Sequence, residues 1–310
     1  MGLGVFQTCP FSINPEIHIG LSPAFCKSSL FYSYLTKGFG ILKDFVWTLQ
    51  FLTAVPIAKS QRRRIPKISN IAFWFPIVGI CIGIVLTGFY LLVLQLFPDL
   101  IADAIILIVY IAMTGGFHLD GFADSCDGLL GGNNRESRLE IMRDSRVGAY
   151  GVICLIVTIG LKYLCLVSID PKSMVGISLF FDQDVMGRIS PVLLSAFEKG
   201  KILLFMCVVG RWSQILCASI STYARDDAGT GQIIVETLNL KHLLFSSLVP
   251  GILVFFFCGL KSIYVLFIVL IVCIMFTSYV KGKIGGMTGD TLGAANEISE
   301  LIVLLTFLTI

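Results

Sequence analysis

Long apolar segments recur along the chain, separated by short polar stretches. Residues 71–97 contain no charged side chain, and residues 147–169 contain only Lys162. Further apolar segments occupy residues 104–116, 202–222, 243–260 and 262–280 and the end of the chain. Because about 20 apolar residues in a helix cross the core of a bilayer, the pattern predicts an all-α fold. We expect a polytopic integral membrane helical bundle with about six to eight transmembrane helices.

Residues 1–40 do not share this pattern. They contain Pro10, Pro15 and Pro23, and they lack the charged start, apolar centre and cleavage site of a removed signal peptide. Residues 41–58 then alternate apolar and polar positions at helical spacing, which is typical of a helix at the membrane interface. The sequence therefore predicts an N-terminal extension over residues 1–40 and a single membrane-embedded domain over residues 41–310.

Positive charge indicates the orientation of the chain. Four cations lie within residues 61–67, just before the first long apolar segment. Because basic loops stay in the cytoplasm, residues 71–97 are predicted to cross outward and residues 104–116 to return, which leaves Asp99 and Asp103 outside. The following polar stretch then lies at the cytoplasmic face. Four arginines in that stretch agree: Arg135, Arg138, Arg143 and Arg146.

Residues 175–197 fit a membrane crossing poorly. Asp182, Asp184 and Arg188 interrupt the apolar pattern there. A full crossing, followed by another through residues 202–222, would also place the next polar segment on the opposite side of the membrane. We therefore expect a non-spanning or re-entrant segment at this position.

The composition restricts the class of protein further. The chain of 310 residues is 56% hydrophobic and only 14% charged, which excludes an ordinary soluble domain. A net charge of +3 gives no support for nucleic-acid binding. Most of the cysteines lie inside apolar segments without Cys-x-x-Cys spacing, so we interpret them as small buried side chains. The histidines show no zinc-ligand spacing.

A cluster of aspartates follows the apolar segment at residues 104–116. Asp120, Asp124 and Asp127 are four and three residues apart, so in a helix their carboxylates lie on one face. Ionisable groups beside membrane segments are energetically unfavourable and therefore usually have a function. Carboxylates of this kind bind Mg²⁺ or Mn²⁺ together with substrate phosphates. The alternative interpretation is a solvated helix end near its N-terminal dipole.

A second polar cluster begins at Gly285. Its glycines form a backbone-exposing turn of the kind that can bind a phosphate, and Asp290, Glu297 and Glu300 add carboxylates. The alternative is a helix start capped by Thr288 or Asp290, with small residues for close helix packing.

Several motifs together resemble a known family. They are His118-Leu-Asp-Gly-Phe-Ala-Asp-Ser-Cys-Asp-Gly128, Gly210-Arg-Trp212, Tyr223-Ala-Arg225 and Gly285-Gly-Met-Thr-Gly-Asp290-Thr-Leu-Gly-Ala294. The chain is similar over residues 41–310 to the cobalamin synthases, the adenosylcobinamide-GDP ribazoletransferases. Its Asp124-Ser-Cys-Asp127-Gly128 element also matches the first half of the CDP-alcohol phosphotransferase pattern, but the second half of that pattern is absent.

The resemblance implies a catalytic domain over residues 41–310 that transfers the cobinamide phosphoryl group of adenosylcobinamide-GDP to α-ribazole or α-ribazole 5′-phosphate and releases GMP. It implies Mg²⁺ or Mn²⁺ as the cofactor, because attack on a diphosphate requires charge neutralisation. It also implies the bacterial cytoplasmic membrane, with the active site facing the cytoplasm. Other membrane enzymes of cobamide synthesis are compatible partners.

The resemblance also implies roles for individual residues. The metal site would comprise Asp120, Asp124, Asp127 and Asp144. Asp144, Asp124 and Arg146 would be catalytic: Asp144 as the first choice to orient or deprotonate the hydroxyl, and Arg146 as a brace for the diphosphate. The substrate-binding residues would be His118, Arg211, Arg225, Gly285, Gly286, Thr288, Gly289 and Asp290. For Arg211 and Arg225, the alternative is that of ordinary cations at the membrane edge.

Two other functions remain open at this point. A phosphatidyltransferase that uses a CDP-lipid would need the missing second half of the motif. A cation or proton transporter would need acidic residues in broken helices near the membrane centre and an inverted repeat, whereas the aspartates cluster at one predicted face.

Overall fold

The computed structural model describes residues 42–55, 71–169, 191–226, 230–254 and 261–309. Three predicted features lie outside the described residues. They are the N-terminal extension, the basic loop at residues 61–67, and residues 175–190 of the segment that fits a membrane crossing poorly. In the described ranges the chain is helical, and its one β-type pairing is an isolated parallel bridge between Tyr223 and Met287. The expected all-α fold is therefore confirmed.

The helices follow one another with short connections. The first, α1, covers residues 42–52. The others are α2 (Ile71–Val93), α3 (Asp99–Thr114), α4 (Phe117–Gly131), α5 (Arg135–Ile141), α6 (Ala149–Ser168), α7 (Pro191–Ser219), α8 (Thr230–Thr237), α9 (Leu240–Ser246), α10 (Leu248–Leu253), α11 (Lys261–Ile284) and α12 (Gly289–Phe307).

Four of these helices are long and apolar enough to cross a membrane. They are α2, α6, the part of α7 from Ala196 to Ser219 and the part of α11 from Ser262 to Ile284. Helices α3 and α4 meet the same criterion only together, and because they meet at 87°, they do not form one straight crossing. The chain is therefore a polytopic membrane protein.

Two predicted segments differ from the sequence-based expectation. The span expected over residues 243–260 is broken into the short helices α9 and α10 in its described part, because Pro250 and the turn at Ser247 interrupt it. In the segment at residues 175–197, for which we expected no full crossing, the described residues 191–197 form the first turns of α7. The described residues thus contain four candidate spans, or five with the bent pair, against the six to eight expected for the whole chain.

Helix α7 lies at the centre of the bundle. It is buried along almost its whole membrane segment and packs against α2 and α12, whereas α6 and α11 expose most of their apolar side chains. Exposed residues such as Ile156, Phe267 and Met275 form the surface expected to contact lipid. The cysteines of the described residues are free thiols; Cys165, Cys207, Cys217 and Cys273 are buried, as expected, whereas Cys81, Cys126 and Cys154 are half-buried.

A neutral network of four buried charges connects α6, α7 and α12. Lys162 donates to Glu297 and Glu300 at 2.6 Å each, and Arg211 donates to Glu300 at 2.6 Å. All four side chains are at most 2% exposed. Tyr110 of α3 adds a hydroxyl that donates to Glu300. Because buried charges are tolerated only when paired, this network holds the three helices in one register.

A second buried pair connects α3 to α7. Lys199 lies 2.7 Å from Asp103, and the Tyr90 hydroxyl donates to the same carboxylate at 2.8 Å. The sequence placed Asp103 in the solvent outside the membrane; the structure instead buries it against these partners. The apolar pattern alone could not show this difference, because Lys199 lies about a hundred residues further along the chain.

The charge balance of the first network is testable. The variant Lys162→Met removes the cation that two buried carboxylates share, and loss of one partner of a buried pair is destabilising by about 3–5 kcal/mol. We expect a lower melting temperature in detergent. The double variant Lys162→Met/Glu297→Gln restores equal numbers of cations and carboxylates, so it should recover part of the loss. The exposed Lys281→Met is the control. A Lys162→Met protein that melts like the unchanged chain would contradict this account.

Candidate active site

The acidic residues lie on a helix that leaves the bundle at a sharp angle. Helix α3 ends at Gly115 and α4 begins after Gly116, and both glycines have positive φ angles, 65° and 68°. That left-handed pair makes the turn of 87°. The helix predicted for the three aspartates is confirmed, but their environments differ: Asp120 is exposed, Asp124 is half-buried and Asp127 is buried.

Asp127 caps the next membrane helix. Its two carboxylate oxygens accept hydrogen bonds from the backbone amides of Gly148, at 2.7 Å, and Gly151, at 2.9 Å. Gly148 is the N-cap residue of α6 and has no side chain of its own to accept these bonds. A carboxylate at a helix N-terminus also interacts favourably with the helix dipole. The structure therefore gives Asp127 a structural role beside its expected role as a metal ligand.

Close contact between α4 and α12 brings Asp290 to the same place. A Cβ atom at Gly121 would lie 2.9 Å from the Asp290 Cα atom, so only glycine allows the two helices to approach this closely. Helix α12 begins with a capping box in which the Thr288 hydroxyl accepts from the Thr291 amide at 3.2 Å. This is the cap that the alternative interpretation assigned to Thr288. It places Asp290 in the first turn, facing α4.

The loop at residues 221–226 supplies the cation of the site. The bridge between Tyr223 and Met287 fixes this loop beside the start of α12. As a result the Arg225 guanidinium contacts the Asp290 carboxylate at 2.7 Å. Of the two arginines expected to contact substrate anions, Arg225 is therefore the one that lies beside the acidic residues.

Arg135 of α5 fastens this loop. Its side chain donates to the carbonyl of Ile284 at 3.0 Å and to the carbonyl of Ala224 at 2.7 Å. The two carbonyls belong to the two segments that the β-bridge joins. Arg135 thus positions the loop that carries Arg225.

Like charges converge on Asp124. Burial raises the pKa of Asp124 to about 7, and the carboxylates of Asp120, Asp290 and Asp127 add to the shift, while Arg225 opposes it. Burial also raises the pKa of Asp290, against the effect of Arg225. Four carboxylates and one guanidinium leave an excess of negative charge, which favours binding of a cation.

A chain of hydrogen bonds joins this site to the buried charge network. Glu300 accepts from the Asn296 amide at 2.8 Å, Asn296 accepts from the Gln214 amide at 3.2 Å, and that same amide faces His118 Nε2 at 2.9 Å. An ionised carboxylate only accepts, so every amide in the chain is oriented by Glu300. His118 Nε2 must then accept, which places the imidazole proton on Nδ1.

The imidazole of His118 is neutral. Burial, together with the nearby positive charge of Arg211, lowers the pKa of His118 to about 3. Among the described residues its Nδ1 atom has no hydrogen-bond partner. His118 therefore has a buried N–H donor without a described partner, on a residue that borders the same cavity as Asp120.

Arg211, Asp144 and Arg146 have other partners in the structure. Arg211 is fully buried on Glu300 and Tyr110, so it neither lies at the membrane edge nor contacts the acidic cluster as placed. Asp144 and Arg146 pair with each other at 2.6 Å in the loop before α6, with 39% and 87% of their side chains exposed. Hydrogen bonds from Arg146 lower the pKa of Asp144 to about 2.

The glycines of the second cluster have separate roles. Gly285 has a φ of 88° and lies beside Arg135, and Gly286 packs against the backbone of Thr222. These contacts favour the packing interpretation for Gly285 and Gly286. Gly289, the first residue of α12, borders a cavity. Phosphate binding by these glycines stays a prediction.

That cavity, of about 720 Å³, lies between α1, α4, α7, α8 and α12. Its lining includes Trp47, Phe51, His118, Asp120, Gln214 and Asp290. Trp47, Phe51, Gln214 and Asn296 were not among the predicted site residues. Gln214 and Asn296 had a detectable signal, since isolated amides in apolar helices are usually paired. Trp47 and Phe51 had only their spacing of one helical turn.

The donor chemistry fits a hard cation. Carboxylate oxygens are the ligands that Mg²⁺ and Mn²⁺ prefer, and these residues carry excess negative charge. Within the described ranges, no three Asp, Glu, His or Cys side chains already lie together as ligands of one metal ion. Mg²⁺ usually uses one or two carboxylates together with water and substrate phosphates, and two carboxylates, Asp120 and Asp290, border the cavity.

Comparison with known proteins agrees on one family. The sequence model of the cobalamin-5-phosphate synthase family matches residues 44–308. A protein of Caldanaerobacter subterraneus subsp. tengcongensis, named adenosylcobinamide-GDP ribazoletransferase, is 35% identical over 86% of this chain and 98% of its own length. Proteins of the same name from Clostridium acetobutylicum and Geotalea daltonii are 34% and 32% identical, over 83% and 87% of this chain and 92% and 98% of their own lengths. No solved structure matches the chain.

The capping role of Asp127 is testable. We expect Asp127→Ala to lower the melting temperature, because loss of a helix cap is destabilising by about 1 kcal/mol. Asp127→Asn should lower the melting temperature less, since its amide oxygen still accepts one backbone hydrogen bond. The matched control Asp124→Asn should not lower the melting temperature, because it removes one of four repelling carboxylates. If Asp127→Ala melts like the unchanged chain, the cap does not stabilise α6.

Proposed function

We propose, because the chain belongs to the cobalamin-5-phosphate synthase family, that it catalyses the adenosylcobinamide-GDP ribazoletransferase reaction. The 5′-hydroxyl oxygen of α-ribazole, or of its 5′-phosphate, attacks the phosphorus atom attached to cobinamide. A new P–O bond forms, the P–O bond to GMP breaks, and the hydroxyl proton passes to a carboxylate. The products are GMP and adenosylcobalamin or its 5′-phosphate.

One observation carries this proposal at the level of the site. Asp120 and Asp290, from two distant parts of the chain, border the same cavity, with Asp124 one turn further along α4. The cation beside them is Arg225, which contacts Asp290. Carboxylates that hold a divalent ion, together with an arginine, suit a diphosphate substrate.

We propose Asp120 and Asp290 as the residues that hold Mg²⁺. The ion, when bound, neutralises charge on the attacked phosphoryl group and on the departing phosphate. Asp127 keeps unused lone pairs on its oxygens, so its capping role does not exclude a contribution. Arg225 binds a phosphate oxygen while it keeps Asp290 in place.

Asp124 is better suited than Asp144 to accept the proton. A general base works best when its pKa lies near the working pH, and burial is the largest of the causes that raise the pKa of Asp124 above its ordinary value. The pKa of Asp144, held near 2 by Arg146, makes that carboxylate a weak base. We therefore assign the role of proton acceptor to Asp124. Asp144 and Arg146 lie in the exposed loop before α6, where they are available to a large substrate.

The site is proposed to face the cytoplasm from the cytoplasmic membrane. Arg135 and Arg138 of α5 bond to the carbonyls of residues 283 and 284 at the end of α11, so these basic residues share one face with Lys281 and Lys283. Basic residues accumulate on the cytoplasmic side. The names of the relatives favour this transferase over a phosphatidyltransferase or a transporter.

The reaction is tested by product analysis with the purified protein in lipid, supplied with adenosylcobinamide-GDP, α-ribazole and Mg²⁺. We expect release of GMP with formation of a cobamide. Asp124→Asn and Asp290→Asn should each reduce the rate at least about 100-fold, as expected for loss of a base or of a metal ligand. The matched control is Asp99→Asn, an exposed aspartate at the start of α3, which should keep its rate.

Chelation tests the metal requirement independently of the identity of the reaction. Removal of divalent ions should stop GMP release, and added Mg²⁺ should restore it. Full activity under chelation would contradict the proposed metal requirement but not the proposed transferase activity. Folded wild-type protein that releases no GMP would contradict the transferase itself.

A further inference from the structure

An aromatic wall borders the same cavity as the carboxylates. It consists of Trp47 and Phe51 on α1, whose rings stack with centroids 5.2 Å apart and planes 5° from parallel. Both side chains are half-buried. Asp120 and Asp290 line the cavity together with this wall, so one continuous space has an acidic part and an aromatic part.

Two polar side chains of the lining, Thr53 and Gln214, make hydrogen bonds within the protein. The Thr53 hydroxyl donates to the carbonyl of Leu49 at 2.6 Å. The Gln214 amide nitrogen is shared between His118 and Asn296. The lining of the same cavity also includes Gln50 and the apolar residues Val55, Phe117, Ile234 and Leu292. The two rings of the wall therefore offer stacking and apolar contact to a ligand.

This combination fits one part of the reactants proposed above. A planar base stacks on aromatic side chains, while the ribose attached to it must reach the carboxylates. Guanine carries several donors and acceptors on its edge, and those would lose hydrogen bonds to water beside an apolar surface. The benzimidazole-type base of α-ribazole has an apolar edge and avoids that loss. The volume of about 720 Å³ lies in the range of small-molecule sites.

We propose that the aromatic wall binds the base of the incoming α-ribazole and so directs its 5′-hydroxyl towards the carboxylates. Trp47 and Phe51 are specificity-determining residues of the acceptor, and the guanine of the donor lies elsewhere. This inference rests on the proposed function.

The test compares Trp47→Ala, Trp47→Phe and the control Trp74→Phe. Trp74 lies near α1, with its ring 5.1 Å from that of Phe45, but it does not line the cavity. Trp47→Ala should raise KM for α-ribazole about tenfold, as expected for loss of one base–aromatic stack, with KM for adenosylcobinamide-GDP and kcat within twofold. Trp47→Phe should recover most of the affinity, and Trp74→Phe should behave as the unchanged chain.

A binding measurement separates this inference from the reaction. α-Ribazole alone should quench tryptophan fluorescence of the lipid-reconstituted protein, and the quench should disappear in Trp47→Phe but not in Trp74→Phe. GMP should not produce it. A quench by GMP, or a rise in KM for the donor instead, would place guanine at the wall and overturn the proposal. Unchanged KM values in Trp47→Ala would also overturn it. If wild-type protein binds α-ribazole at Trp47 yet releases no GMP, only the transferase proposal fails.

Discussion

The burial of four charges inside a membrane bundle is the constraint on which the arrangement of α6, α7 and α12 depends. The two positive charges of Lys162 and Arg211 balance the two negative charges of Glu297 and Glu300, and each cation lies on a different helix from the carboxylates. An isolated charge at this depth would be strongly unfavourable, whereas the neutral set is tolerated. Rotation or sliding of any one helix would separate a pair. The network therefore fixes the register of α12, and with it the position of Asp290 at the start of that helix.

The same network determines the chemistry of a side chain at the cavity. Because Glu300 only accepts hydrogen bonds, the amides of Asn296 and Gln214 are oriented in sequence, and His118 is left with its proton on Nδ1. The tautomer of a cavity residue is thus specified by charges in the interior of the bundle. Substitution of Asn296 by a residue without an amide would break the hydrogen-bond chain between Glu300 and His118, even though Asn296 is not part of the cavity lining.

The sequence predicts the class of fold well, because apolar length reports directly on the membrane. It also predicts that the segments around Asp120 and Asp290 share a face and a function. It does not predict the partners of buried charges: Arg211 was expected to contact the substrate or lie at the membrane edge, and Asp103 to lie outside the membrane, but both pair with residues distant in sequence. A charged side chain in an apolar run indicates that a partner exists. Which residue is the partner depends on helix packing, which periodicity does not contain.

The three aspartates of α4 show the same limit within one helix. Their spacing makes them equivalent, yet the amides of Gly148 and Gly151 bind Asp127, while Asp290 and Arg225 influence Asp124. These partners come from α6, α12 and the loop before α8, so no local pattern separates the roles. The opposite holds for Asp144. Its pairing with Arg146, two residues along, is a local interaction that the sequence does contain. Since a paired and exposed carboxylate is a poor base, that short spacing argues against the role of base that was expected for Asp144.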